Sequence, residues 1–380
     1  MIIYWSMIAL TGFLAIMQVK MGKAEIFIRG KHLCKGTALL AFIWTAYIIF
    51  WIGLRSGVAD TPAYISGFKE IPVGFEHFEF YLSTVDKGVG FGFIAFLFKN
   101  MVSQNYHAWL FFITLVSTFC VVRVYYRQSE NFFFTAYLFL ASCIFTWLFN
   151  GIRQFLATVI LFAFSDLMVK GKTFKYIVLI LLVSLIHNTA LVMLPICIFF
   201  RKKEPWKWQT FVFVVVFVIG VFYADSLLNL FMQTEAGAKY AEGLALSEGT
   251  NILRIGVAAV PCVLAFIERD VVSKEKNEFI NLCVNMSFVS LCFYVLSSVT
   301  SGVLLGRLPN YFEVYNMILL PWLLKYGFKG SSRKLIQIIC VVLYLVFFYY
   351  QIWIPEIFWK WQNRQGLPFS DRRIRRYFGW

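Results

Sequence analysis

The residues of this chain that could do chemistry are few, and they sit at the ends of long apolar runs. Arg55 and Asp60 directly follow one run, Asn150, Arg153 and Gln154 lie between two others, and His187 interrupts a further one. Arg254 opens a later run, and Arg307 stands four residues before Tyr311 near the start of another. Ionisable groups in or beside membrane helices are costly to place, which makes each a functional candidate. The planar fork of arginine grips two phosphate oxygens and stays protonated. Several arginines with a carboxylate and an imidazole therefore suit a lipid-linked phosphate or pyrophosphate. A carboxylate or imidazole beside a sugar hydroxyl serves as general base, while arginines stabilise the charge building on a departing pyrophosphate.

Each candidate also has a structural reading. Arg55 pairs with Asp60 and closes the loop, Arg153 snorkels to headgroups or caps the preceding carbonyls, and His187 is a satisfied helix-end histidine. Asp86 is an ordinary loop charge, and Glu313 is expected to pair internally with an arginine.

The elements that must position these groups are set by composition. Of 380 residues, 60 % are hydrophobic and 14 % charged, with a mean hydropathy of +0.72. A soluble domain of this size could not hide so much apolar surface. In lipid only helices and closed barrels satisfy their backbone groups, and runs of this length predict helices. The runs are Ile2–Met17, Ala38–Leu54, Ala108–Tyr126, Phe132–Phe149, Phe155–Val169 and Phe174–Phe200, then Phe211–Ala224, Ile252–Ile267, Phe279–Val299, Leu304–Leu324 and Leu335–Trp353. A shorter run, Val89–Val102, is interrupted by glycines. The expectation is an all-α, polytopic transmembrane bundle with about eleven or twelve membrane elements. One transmembrane domain spans residues 1–353, with outer loops at 55–106 and 225–250, followed by a basic aromatic tail over 354–380.

The net charge of +15 falls mostly in short loops between runs, which reads as membrane orientation and anionic lipid rather than nucleic acid. All the basic loops share the cytoplasmic side on two conditions. Val89–Val102 must not cross fully, and Phe174–Phe200 must break at His187-Asn188-Thr189 into two short helices that return to the same side. The candidate arginines then face the outer side, against the positive-inside trend. The tail, with Lys360, Arg364 and Arg372 to Arg376, resists this parity: either the span count is off by one, or the tail lies at the interface around Trp359 and Trp361. The cysteines form no C-x-x-C pair and read as packing residues, no phosphate-binding loop is present, and the run at Met1 reads as a retained span. No metal or cofactor is expected.

Three stretches resemble the EpsG family of Wzy-type polysaccharide polymerases. Arg55-Ser-Gly-Val-Ala-Asp60-Thr61-Pro-Ala-Tyr64 is similar to its R…G-x-D-[TY]-x-x-Y pattern, and Asn150-Gly-Ile-Arg153-Gln154-Phe-Leu-Ala157 to its [NG]-x-x-R-Q-x-[LI]-A. Ile186-His187-Asn188-Thr189-Ala190-Leu191 is similar to its [FI]-H-x-[ST]-A-[LI], and Asp86-Lys87-Gly88 to the acidic-Gly stretch before the family's next helix. The likeness runs in order over roughly residues 40 to 200 and continues in hydropathy and in Arg307…Tyr311.

The resemblance implies polymerisation of a surface glycan (O-antigen, capsule or exopolysaccharide) on the outer face of the bacterial cytoplasmic membrane, in a fold related to the GT-C glycosyltransferases. The partners would be undecaprenyl-pyrophosphate-linked oligosaccharides, the bilayer, and a separate chain-length regulator. Carried onto this chain, Arg153, Arg254 and Arg307 hold pyrophosphate with Arg55 as a further candidate, and Asp60 or His187 is the base. Gln154, Tyr64 and Tyr311 position sugars. Asp60 alternatively only orients Arg55. An O-antigen ligase, which usually carries a long outer loop, and a flippase, which lines a cavity with charge along several helices, are the competing readings. An acyltransferase has no supporting motif.

Overall fold

The structure is a computed structural model that describes residues 2–21, 25–28, 31–200, 204–223, 226, 229–230, 233–234, 249–300 and 305–364, with backbone alone for 25–28, 31–36 and 354–364. Apolar runs become helices because hydrocarbon offers no partner to an open backbone group. In chain order these are α1 (Ile2–Met21), α2 (Lys35–Gly53), α3 (Thr61–Glu70), α4 (Phe78–Thr84), α5 (Val89–Met101), α6 (Tyr106–Gln128), α7 (Phe132–Ala141) and α8 (Ile152–Ala163). There follow α9 (Asp166–Val169), α10 (Thr173–Ser184), α11 (Met193–Phe200), α12 (Trp208–Phe222), α13 (Ile252–Ile267) and α14 (Arg269–Glu275). The series closes with α15 (Glu278–Val299), α16 (Asn310–Glu313), α17 (Asn316–Tyr326) and α18 (Gly330–Arg364).

Five helical stretches among the described residues are long and apolar enough to cross a membrane: Ile2–Met21, Tyr106–Gln128, Ile152–Val169, Glu278–Val299 and Gly330–Trp353. Seven shorter apolar helices accompany them, so the chain is a polytopic helical bundle as its hydropathy predicts. Between α1 and α2 the basic loop adds a small antiparallel hairpin, Glu25–Ile28 with Lys31–Cys34. Hydropathy gives no hint of it.

Several runs are interrupted where polar or strained residues fall. Phe174–Phe200 breaks between Ser184 and Asn188, as expected, into α10 and a 3-10 turn that leads to α11. Phe132–Phe149 breaks at Cys143, whose φ is +64°, and continues as a 3-10 turn over Ile144–Leu148. Val89–Val102 forms the 13-residue α5, about 20 Å long at 1.5 Å per residue, too short to cross a hydrocarbon core of about 30 Å. The stretch 55–106 is more than a loop: it holds α3, a 3-10 turn at Phe75–His77, α4 and α5. Most of 225–250 and all of 365–380 lie outside the described residues, and the sidedness of the tail lies there with them. The first part of that tail, to Arg364, continues α18 as helix.

The fold resolves into two compact units. Residues 2–140 and 144–198 form one, and residues 141–143 with those from 199 onward form the other. In the first unit, polar groups tie α1 to α2: Trp44 Nε1 donates to Thr11 Oγ1 at 2.7 Å, and Ser6 and Tyr47 share a hydroxyl bond of 2.7 Å. Such bonds hold membrane helices together where apolar contact alone gives no advantage over lipid. Arg123 Nη1 then donates to the Ala163 carbonyl, linking α6 to α8. In the second unit α15 is the central helix, with α12, α13 and α17 against it.

Candidate functional site

A candidate site among the described residues lies within the first unit. A half-open cleft of about 370 Å³ is lined by Asp60 and Tyr64 from the start of α3, Tyr81 from α4, Lys87 from the α4–α5 turn, Trp109 from α6 and Arg153 from α8.

Local backbone geometry explains how a carboxylate and a guanidinium come to share this space. Gly151 takes φ +65° as the N-cap of α8, and a Cβ there would press on the Trp147 ring at 2.8 Å. That turn leaves the Gly151 amide pointing outward, and it donates to Asp60 Oδ2 at 3.0 Å. An anionic oxygen at a helix N-terminus satisfies an orphan donor and complements the helix dipole. Two residues on, Arg153 projects into the cleft, with Nη1 donating to the Lys87 carbonyl at 2.9 Å. Its backbone amide reaches the Tyr64 hydroxyl at 3.5 Å, while its Nε is buried and without a partner.

Gly88 completes the turn. It has φ +74° at the N-cap of α5, and a Cβ would lie 2.8 Å from the Ile186 carbonyl and 3.2 Å from Arg153 Nη1. Gly90 N donates to the Leu185 carbonyl at 2.8 Å, which seats the α5 start on the break after α10. Gly88→Ala is expected to cost about 1–3 kcal/mol, from left-handed backbone and a backbone contact that cannot yield. A thermal unfolding scan in nanodiscs checks this; an unchanged midpoint would show that the turn relaxes freely.

Electrostatically the cleft joins one carboxylate, two cations and two phenols. Burial pushes the Tyr81 phenol above its ordinary value, so Tyr81 is a neutral hydrogen-bonding group at neutral pH. An arginine and a lysine at one cleft suit an anionic group, and phenols with a carboxylate suit hydroxyl groups.

Other candidates stand apart from the cleft lining. Arg55 is buried, and it does not pair with Asp60 as one reading of the sequence expects. Its Nε donates to Thr61 Oγ1 at 3.1 Å, and its Nη1 donates to Thr114 Oγ1 at 2.9 Å and to the Ile52 carbonyl. The reason is reach: Thr61 and Thr114 present acceptors inside the helix packing, while Asp60 turns to the α8 N-terminus. Burial brings the Arg55 guanidinium down to about 10, partly offset by Tyr64 and Tyr4, and it remains a cation at neutral pH. Gln154 is buried in the first turn of α8 and does not line the cleft. His187 lies in the break after α10, with Nδ1 and Thr189 Oγ1 at 2.7 Å.

The second unit holds the remaining candidates. Arg254 is half-buried in the first turn of α13, within electrostatic reach of Glu313 and Tyr294. Glu313 is sealed and accepts a 2.6 Å hydrogen bond from the Tyr294 hydroxyl. Its direct partner is thus a phenol, with the expected arginine acting through the field. Tyr311 is buried, and Arg307 is half-buried in the turn before α16.

Sequence reasoning passed over Lys87, Tyr81 and Trp109. Lys87 stood in a stretch noted only for its acid and glycine, and the rings read as ordinary aromatics of a loop and a span. The usable signal was Gly88 itself, since a glycine between a charge and a helix start marks a backbone turned toward something close.

Fold and composition make this a multi-pass helical membrane protein. The EpsG family model matches residues 38–363, so the chain belongs to the EpsG family, a family of membrane polysaccharide biosynthesis. No curated protein and no solved structure matches the chain.

Proposed function

We propose that the protein is a Wzy-type glycosyltransferase that joins lipid-linked oligosaccharide repeat units into a surface polysaccharide on the outer face of the cytoplasmic membrane. The observation that carries this reading is the meeting of Asp60, Tyr64, Lys87 and Arg153 around one cleft. In the reaction, a hydroxyl oxygen of the incoming unit attacks the anomeric carbon of the growing chain. The bond from that carbon to the pyrophosphate oxygen breaks, and the electron pair leaves with undecaprenyl pyrophosphate. Asp60 takes the hydroxyl proton on Oδ1, since Oδ2 is occupied by the Gly151 amide. Arg153 and Lys87 meet the charge on the leaving group. Tyr64 and Tyr81 orient the sugar. His187 turns back on Thr189, and that geometry favours Asp60 over it as base.

Purified protein in lipid, given the strain's own undecaprenyl-linked repeat unit, is expected to form a ladder of longer products without ATP or nucleotide sugar. Asp60→Asn keeps an acceptor for the Gly151 amide but removes the base. It should fold normally and lower chain extension about 10²–10⁴-fold. Movement of the unit across liposomes without a ladder would replace the polymerase reading with a flippase. Transfer of finished glycan to another acceptor would replace it with a ligase.

A further inference from the structure

One buried cation belongs to neither the cleft lining nor the proposed chemistry. Lys99, in the last turn of α5, is 7 % exposed. Its Nζ donates to the carbonyls of Phe68 at 3.0 Å, Lys69 at 2.8 Å and Ile71. An ammonium has three donors, and here all of them are used on main chain. These carbonyls lie at the C-terminal end of α3, where helix carbonyls lack internal partners and the dipole favours a cation. The neighbouring Asn100 takes the next stretch: Oδ1 accepts from the Gly74 amide at 2.7 Å, and Nδ2 donates to the Pro72 carbonyl at 3.3 Å. Two consecutive side chains thus fix the main chain from 68 to 74.

That stretch joins the cleft's walls. Upstream of it, α3 carries Asp60 and Tyr64; downstream, α4 carries Tyr81; and α5 itself contributes Phe91. Lys99 Nζ also lies over the Phe68 ring at 5.5 Å, and Phe68 stacks on Trp109 with centroids 5.5 Å apart.

We propose that Lys99, aided by Asn100, is a positioning residue: its ammonium clasps the end of α3 and the start of the 71–77 turn, and so sets the spacing of the cleft walls for the lipid-linked substrate. The proposal deepens the polymerase reading and rests on it for the identity of the substrate. Lys99→Ala removes the stem and the charge together, leaving a carbonyl cage the size of a propylammonium ion. Lys99→Met keeps the stem without the charge, and a merely space-filling role would survive it.

Hydrogen–deuterium exchange of full-length protein in nanodiscs reads the clasp directly. In both variants amides across 68–86 are expected to exchange at least about tenfold faster. Propylammonium chloride should restore slow exchange in Lys99→Ala and not in Lys99→Met. The concentration of repeat unit for half-maximal extension should rise about tenfold in both, with the maximal rate changing less. Unchanged exchange in both variants overturns the clasp, as does equal rescue of both by the salt. Extension kinetics untouched by Lys99→Ala, in a protein that Arg153→Ala inactivates, overturn its positioning role. A wild-type protein that forms no ladder sinks the polymerase reading, and the exchange measurements then decide the clasp on their own.

Discussion

Arg153→Ala is expected to abolish chain extension, by about 10²–10³-fold or more, while leaving protein level intact. Two losses combine. The guanidinium is the cleft's only arginine among the described lining residues, so the leaving pyrophosphate would keep Lys87 alone as its cationic partner. The Nη1 bond to the Lys87 carbonyl also disappears, and with it the tie that holds the Lys87–Gly88 turn to α8. Arg153→Lys separates these contributions. It keeps a charge but cannot grip a phosphate with one edge and a carbonyl with the other, because an ammonium is a point donor rather than a fork. Its activity should fall between wild type and alanine. Glycan from a strain carrying each variant, resolved by length, provides the readout. Full-length polymer from Arg153→Ala would remove the phosphate role from this residue.

Glu313→Ala is expected to destabilise the second unit by about 1–3 kcal/mol or more, the consequence of leaving a buried hydroxyl donor without its acceptor. The Tyr294 hydroxyl would lose its 2.6 Å acceptor in a sealed site, and Arg254 would lose the carboxylate within its field. The buried Tyr294 hydroxyl cannot recover by turning to water. Glu313→Gln preserves an acceptor for the phenol and should cost clearly less, whereas Tyr294→Phe removes the donor and should cost about 1–3 kcal/mol. Denaturant titration in mixed micelles ranks the three. Equal stability of Glu313→Ala and wild type would show that the cluster is held by its packing and not by these groups.

Much of the fold was legible in the sequence. Membrane helices are written in hydropathy, and Ile252–Ile267 forms a helix with the very ends its run predicts. The break at His187 was legible too, because a polar triplet cannot continue an apolar helix in lipid without cost. What hydropathy could not carry was the content of 55–88, where the short helices α3 and α4 look like loop. The sites follow the same division. Asp60 and Arg153 could be singled out as charges at run ends and Tyr64 through the family motif, and all three line the cleft. The partner of Arg55 could not be read: nearness in sequence favoured Asp60, but acceptor position inside the helix packing is a property of three dimensions. Lys99 was hidden for a related reason. A lone lysine at the end of an apolar run looks like an interfacial anchor, and only the backbone of α3 turns it into a clasp.

The hydrogen bond between Asp60 and the Gly151 amide spans 91 positions of sequence. A ribosome adding about 5–20 residues per second needs several seconds to make that much chain, so α3 is made long before its partner exists. Until α8 follows, Asp60 is an uncapped carboxylate and Arg153 has not yet been made. The order of synthesis therefore acts as a timer on the cleft: its lining is complete only after about three quarters of the first unit has been made, and a nascent chain stalled before residue 151 would lack both the Gly151 amide and Arg153.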